Sequence, residues 1–219
     1  GLEVDVVSIC TPPQVRDAIA RKAMDAGLDI LLEKPPSATP SAFIETQRYA
    51  AEKGVTLFAT WHSRFAPMVE RARQLIAERG LASARIIWRE DAQHWHPGQI
   101  WLWEPGGLGV FDPGINALSI FTRICGAAVT VTSAEFEVPA NWYCPIAARM
   151  KMQAGDAPVD VDFDFRQKGE QSWDIEISCK DGSTFKLSMG GSKLSIDRGP
   201  IEEAPEAEYP GIYARFEEL

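Results

Sequence analysis

Short apolar runs alternate with helical repeats over the first sixty residues of the chain. Residues 4–10, 28–32 and 55–60 are rich in β-branched and aliphatic side chains, which is typical of strands buried in a parallel sheet. Between these runs, apolar residues recur at helical spacing over residues 15–23 and 43–51. The order strand, helix, strand, helix, strand predicts a parallel, doubly wound sheet.

The pattern changes after Trp61. Residues 67–79 and a segment that opens at Asp112 have helical periodicity, and residues 84–90 are typical of a strand. Further strand-like runs then follow one another at residues 129–138, 147–152, 159–165, 173–179 and 184–189. Strands in succession favour antiparallel pairing, so we predict a large, mainly antiparallel open sheet with helices on one face. From Ala204 onward the sequence is typical of a surface segment.

We therefore expect two domains and the fold class α/β plus α+β. Residues 1–61 would form an incomplete doubly wound domain, and residues 62–219 a substrate-binding and oligomerisation domain. The alternating residues Asp160, Asp162 and Asp164 predict a solvated sheet face, since an EF-hand calcium loop would need glycine where Phe165 stands. Such strands also suit a flat surface for a homo-oligomer.

Composition narrows the classes of function. Of the 219 residues, 45% are hydrophobic and 24% are charged, which is the usage of a globular protein. The net charge of −9 argues against a nucleic-acid-binding surface, and no apolar run is long enough to predict a membrane span. The four cysteines are far apart, and no secretory signal opens the sequence. We expect reduced thiols and a cytoplasmic protein.

Candidate catalytic residues lie at the ends of predicted elements. Lys34 follows the second predicted strand, and the carboxyl end of a parallel strand is where open α/β sheets bind ligands. Asp112 precedes a proline at a helix start, where it would be a good N-cap. Asn116 lies one turn later on the same face, so both side chains could reach one ligand.

A loop rich in tryptophan and histidine covers residues 93–108. Two hypotheses for the function of this loop are open. His94 and His96 could bind a metal, with Glu90, Asp91 and His62 as further ligands. The hypothesis we favour has no metal: Trp95 and its neighbours stack on the ring of a bound ligand while the imidazoles and Glu90 form hydrogen bonds with its polar groups. A loop of this length in a compact domain is more often functional than idle.

Three motifs occur in a specific order. Cys10-Thr11-Pro12-Pro13 follows a strand, Glu33-Lys34-Pro35 follows the next strand, and Gly106-Gly107-Leu108-Gly109-Val110-Phe111-Asp112-Pro113-Gly114-Ile115-Asn116 opens a helix. With these motifs the chain resembles the glucose–fructose oxidoreductase and inositol dehydrogenase (Gfo/Idh/MocA) family. The segments Trp61-His62-Ser63-Arg64-Phe65, Trp88-Arg89-Glu90 and His94-Trp95-His96-Pro97 are similar to those of its bacterial L-arabinose and D-galactose 1-dehydrogenases.

The resemblance implies oxidation of an aldose at C1 to its lactone with NADP or NAD, with a slight preference for NADP. It implies that Lys34 and Asp112 handle the proton beside Asn116. Residues implied to hold the sugar are His62, Glu90, Trp95 and His96. Residues implied to line the nicotinamide end of the cofactor are Thr11, Pro12, Glu33, Lys34 and Trp61. The implied fold is the C-terminal part of a Rossmann-like sheet before the open-sheet domain.

Two features depart from the family pattern. No G-x-G-x-x-G turn follows a strand in these residues, so we expect a family member without its first βαβ region, with weak cofactor affinity and no turnover by itself. Asn116 stands where many members have histidine, and asparagine takes up no proton at neutral pH. Two alternatives are open: a non-catalytic sugar-binding or assembly module, and a family dehydrogenase for another polyol.

Overall fold

The computed structural model describes residues 4–205 and 207–219. Its first sheet has three parallel strands in the order β1 (Val6–Ile9), β2 (Asp29–Glu33) and β3 (Leu57–Thr60). The helices α1 (Pro13–Asp25) and α2 (Pro40–Lys53) connect them. This is the strand and helix order that the sequence predicts.

Local chemistry explains where the connecting helices begin and end. Pro13 begins α1, since proline has no N–H to lose in the first turn. Thr39 caps α2 by accepting a hydrogen bond from Ala42 N at 3.2 Å, and Gly54 ends it in the left-handed conformation. Both helices contribute to one small core with the sheet, which includes the buried Ile30.

The second sheet has eight strands in the order β11-β10-β9-β8-β4-β7-β6-β5. Their bounds are β4 Leu81–Arg89, β5 Val129–Glu137, β6 Ala147–Ala154, β7 Ala157–Asp164, β8 Ser172–Cys179, β9 Thr184–Ser188, β10 Lys193–Ile196 and β11 Ile201–Glu203. The remaining helices are α3 Val69–Arg79, α4 Ala92–Trp95, α5 Phe111–Ile124 and α6 Glu208–Glu217, with 3-10 turns at His62–Phe65, Ile100–Leu102 and Met189–Gly191. The predicted fold class is confirmed.

Three features of this part were not predicted. One pair in the mainly antiparallel sheet, β4 with β7, is parallel. β4 lies between β7 and β8, which follow one another in opposite directions, so it must run parallel to one of them. The strands β10 and β11 were not predicted, because they are too short to show a clear alternation. The segment after Ala204 contains α6, whose apolar residues are too few to form a clear repeat.

The helices α3 and α5 cover one face of the large sheet and form the main core with it. Along β7, Val159, Val161 and Phe163 are buried in that core. The alternating aspartates point to the opposite face, where Asp160 pairs with Lys151 at 2.8 Å. The solvated sheet face that the alternation predicts is confirmed.

The last helix connects the two parts of the chain. Phe216 of α6 packs against Phe58 of β3, with ring centroids 5.8 Å apart. The domain boundary at residues 61 and 62 stays a prediction. No helix in the described ranges is long and apolar enough to cross a bilayer.

Candidate active site

A cavity of about 460 Å³ lies where the two parts of the chain meet. The predicted catalytic and sugar-binding residues line it together: Lys34, His62, Glu90, Trp95, His96, Asp112 and Asn116. They come from the end of β2, the turn after β3, the end of β4, the loop after it and the start of α5. Side chains up to 82 residues apart in sequence, from Lys34 to Asn116, therefore share one cavity.

An ion pair joins Lys34 to Asp112 at this cavity. Lys34 Nζ donates to the Asp112 carbonyl at 2.9 Å and to its carboxylate at 3.2 Å, and the side chains are only 13% and 9% exposed. The N-cap role expected for Asp112 is wrong, because α5 begins one residue earlier and Val110 is its N-cap position. The carboxylate lies in the first turn and points to lysine instead of capping the helix.

Arg16 holds the loop that carries Lys34. This residue of α1 is 3% exposed, and its Nε donates to the Thr11 carbonyl at 3.0 Å. Its Nη1 donates to the carbonyls of Glu33 and Pro35, and its Nη2 donates to the Thr11 carbonyl. Because one rigid guanidinium binds the loops after β1 and β2, it fixes the backbone on both sides of Lys34.

Glu90 is a buried anchor for two cavity residues. Its side chain is 2% exposed. One carboxylate oxygen accepts from His96 Nε2 at 2.8 Å, and the other accepts from Trp173 Nε1 at 2.7 Å. Both oxygens therefore have protein donors, so Glu90 orients His96 and Trp173.

His96 lies between two carboxylates. Its Nδ1 is 3.9 Å from Asp112 Oδ2, and its Nε2 contacts Glu90. Burial by itself lowers the pKa of His96, but the hydrogen bond to Glu90 and the charges of Asp112 and Glu90 outweigh it and raise the pKa above its usual value. The raised pKa favours a positive imidazolium in the folded protein.

This shift makes part of the stability depend on pH. A raised pKa gives stability that is fully present below the unfolded pKa of about 6.5 and is lost as pH rises through the folded pKa. We therefore expect His96→Gln to lower the melting temperature more at about pH 5 than at about pH 9. The exposed His94→Gln is the control. Equal losses for His96→Gln at both pH values would contradict the prediction.

The first turn of α6 completes the cavity. His62 Nδ1 is 2.6 Å from Glu208 Oε2, and the His62 ring stacks on Tyr209 with centroids 5.8 Å apart. Sequence reasoning missed these residues and several others that line the cavity, namely Trp173, Met189, Gly190 and Ser192. The glycine pair before Ser192 was the one local signal of a tight turn there.

The residues predicted at the nicotinamide end separate into two groups. Thr11 and Pro12 follow β1 and Glu33 ends β2, so these residues lie at the carboxyl edge of the parallel sheet. Thr11 Oγ1 is buried and has no hydrogen-bond partner in the described part of the chain, which fits a polar ligand group at this edge. Trp61 lies elsewhere, in a groove beside α5 that it shares with Arg64.

The glycine-rich run before α5 serves close packing. A Cβ at Gly107 would lie 2.3 Å from the Trp101 carbonyl oxygen, and one at Gly109 would lie 2.2 Å from the Pro145 carbonyl oxygen. Such distances exclude any side chain. The run therefore lets backbone segments meet under the tryptophan-rich loop.

The two histidines of the proposed metal pair have different surroundings. His94 packs edge-on against Trp95, with centroids 5.1 Å apart, whereas His96 faces Glu90. Over residues 4–205 and 207–219, no group of three or more His, Cys, Asp or Glu side chains is arranged to hold a metal ion.

Several known proteins are similar to this chain in sequence and in fold. Residues 2–60 match the model of an oxidoreductase family with an NAD-binding Rossmann fold, GFO_IDH_MocA. Galactose 1-dehydrogenase of Pseudomonas fluorescens is 42% identical over 100% of this chain and 71% of its own length. D-galactose-1-dehydrogenase from Rhizobium etli is 50% identical, with a TM-score of 0.91 over 98% of this chain and 69% of that chain.

A more distant structure shares the fold alone. It is an inositol dehydrogenase homologue from Azotobacter vinelandii complexed with NAD+, 16% identical, with a TM-score of 0.75 over 92% of this chain and 57% of that chain. The 42% identity to a relative of which this chain covers 71% establishes the family, and the matched Rossmann segment agrees with it. The chain belongs to the glucose–fructose oxidoreductase and inositol dehydrogenase (Gfo/Idh/MocA) family of oxidoreductases.

Proposed function

We propose that this site oxidises an aldose at C1 to its lactone with NADP or NAD. The observation that carries the proposal is the Lys34–Asp112 pair, 3.2 Å apart at the end of β2, in a cavity lined by tryptophan and histidine. Aromatic faces suit the apolar faces of a sugar, and imidazole, amide and carboxylate groups suit its hydroxyls. The names of the two galactose dehydrogenases support an aldose as substrate.

The roles of the side chains follow from their chemistry. When bound, the nicotinamide supplies the hydride acceptor for C1. Lys34 and Asp112 hold the anomeric hydroxyl: the Asp112 carboxylate takes its proton, and the positive Lys34 Nζ stabilises the oxygen as it becomes negative. Asn116 and His96 form hydrogen bonds with other hydroxyls. Thr11, Pro12, Glu33 and Lys34 hold the nicotinamide end, for which the unpaired Thr11 hydroxyl is suited.

A panel of substrates tests the proposal. Protein expressed from its complete reading frame is assayed for NADP and NAD reduction with D-galactose, L-arabinose, other aldoses and myo-inositol. We expect turnover with aldoses and a lactone as product, since C1 is the carbon that loses hydride. Turnover with polyols alone would replace the aldose by another substrate class, and no turnover with any aldose would remove the proposal.

Cofactor affinity of the 219 residues is a separate prediction. They contain no G-x-G-x-x-G turn to place backbone N–H groups against a pyrophosphate. We therefore expect weak NADP binding by this chain in calorimetric titration, as a non-catalytic sugar-binding module would also show. Tight binding would contradict this, and sugar binding without NADP turnover would favour the module.

We further propose that the outer face of the large sheet joins copies of the chain. The face carries charges of both signs, as in the pair of Lys186 with Asp174 at 2.7 Å, which a copy could complement. The edge strand β5 adds the polar side chains of Ser133 and Glu135 to this face, opposite Lys151 and Arg149 of β6. Light scattering of the purified protein would give a single monomer mass if this proposal is wrong.

A further inference from the structure

The first turn of α6 carries a carboxylate that acts on a cavity histidine. We propose that Glu208 is a positioning residue for the sugar site: it fixes the tautomer and orientation of His62, which binds a sugar hydroxyl. The proposal rests on the proposed function for its ligand, an aldose. It gives a functional role to α6, whose sequence predicted only a surface segment.

Three contacts surround the imidazole of His62. Ser63 Oγ lies 3.3 Å from Nδ1. Glu208 Oε2 lies 2.6 Å from Nδ1 in a pair whose side chains are 16% and 19% exposed. The ring of Tyr209 lies nearly parallel to the imidazole, at an interplanar angle of 7°. Glu208 and Ser63 therefore contact the edge of the ring at Nδ1 and Tyr209 contacts its face, so the ring has little freedom to rotate.

The Glu208 contact also decides which ring nitrogen carries the hydrogen. A carboxylate accepts hydrogen bonds, so Nδ1 is the protonated nitrogen of the neutral ring. The second nitrogen, Nε2, is then an acceptor for a sugar hydroxyl. Histidines that bind metals are oriented by a carboxylate in the same way. Without Glu208, both tautomers and both ring orientations become available.

The helix that carries Glu208 is firmly seated. Ile212 is 1% exposed. A Cβ at Gly211 would lie 2.8 Å from the Phe65 ring, so α6 approaches the turn that bears His62 as closely as glycine allows. The same helix reaches β3 through Phe216. Glu208 is therefore held at a defined place and not on a free chain end.

The first test needs no substrate. Long-range proton–nitrogen NMR spectra report the tautomer of each histidine, and the chain has only three. We expect His62, assigned with His62→Gln, to carry its hydrogen on Nδ1, and Glu208→Ala to give a mixture. Glu217→Ala, at the exposed far end of α6, is the matched control and should change nothing. A wild-type His62 protonated on Nε2 alone would overturn the proposal.

The second test measures the affinity of the protein for a sugar. The fluorescence of tryptophans in the cavity reports binding of D-galactose or L-arabinose. We expect Glu208→Ala to weaken binding about tenfold, Glu208→Gln to weaken it less because its amide oxygen still accepts, and Glu208→Ala to add nothing in a His62→Ala background. Unchanged binding, or additive losses in the double variant, would overturn the proposal. Wild-type protein that neither binds nor oxidises an aldose would refute the proposed function, whereas the NMR result would stand.

Discussion

Replacing Lys34 with methionine is expected to lower kcat for aldose oxidation by roughly a thousandfold, the middle of the range for removal of a group that transfers or stabilises a proton. Methionine keeps the length of the side chain and removes its charge and its donors. Asp112 would then have no cation at 3.2 Å, and the reacting oxygen would lose its positive partner. The measurement is steady-state NADP reduction with D-galactose by protein from the complete reading frame.

The chain offers a matched control for this variant. Lys53 also pairs with an aspartate, Asp25, at 2.6 Å, but on the surface of α2 and away from the cavity. Lys53→Met should leave kcat within about twofold of wild type, since exposed ion pairs contribute little. Thermal melting of both variants separates loss of chemistry from loss of fold. Lys34→Met with wild-type kcat would contradict the assignment of Lys34.

Replacing Gly114 with alanine is expected to damage both stability and the site. A Cβ at this position of α5 would lie 2.6 Å from two ring carbons of Phe163, which is fully buried in the main core. Overpacking of this kind costs about 1–3 kcal/mol of unfolding free energy. Relief requires α5 to move away from β7, and Asp112 and Asn116 would move with it. A shift of about 1 Å at reacting groups can cost about a hundredfold in rate.

The measurement combines urea unfolding with steady-state kinetics. Phe163→Leu removes ring atoms at the point of contact, so Gly114→Ala should cost less stability in that background than in wild type. Phe163→Leu alone is the reference for the double variant. Wild-type stability and rate in Gly114→Ala would show that α5 does not depend on this contact. An equal loss in both backgrounds would attribute the effect to something other than Phe163.

Much of the fold could be predicted because its signals are local. The apolar runs and helical repeats of residues 4–60 specify β1 to β3 and the two helices between them. The alternation along β7 identifies the face that meets the core, since successive side chains point to opposite sides. The order of the motifs at Thr11, Glu33 and Asp112 indicates the family.

The composition of the cavity was also largely predictable. Lys34, Asp112 and Asn116 follow from strand ends and a helix turn, and the structure brings them to one cavity with the histidines. The contacts that these side chains make in the cavity were less predictable. The loop sequence indicates that Glu90 lies near His96, but only the fold shows its two oxygens bound to His96 and Trp173. It also shows Asp112 paired with lysine instead of capping α5.

The amino-acid sequence by itself determined the strands and helices with clear periodicity, the position of Lys34 at a strand end and the grouping of Asp112 with Asn116 on one helical turn. The tertiary structure alone decided that β4 lies between β7 and β8, and that α6 returns to place Glu208 against His62. The physical reason is the separation in sequence over which each effect acts. Periodicity and capping depend on residues only a few positions apart. The contact between His62 and Glu208 spans 146 residues and forms only when both sheets and the last helix have packed.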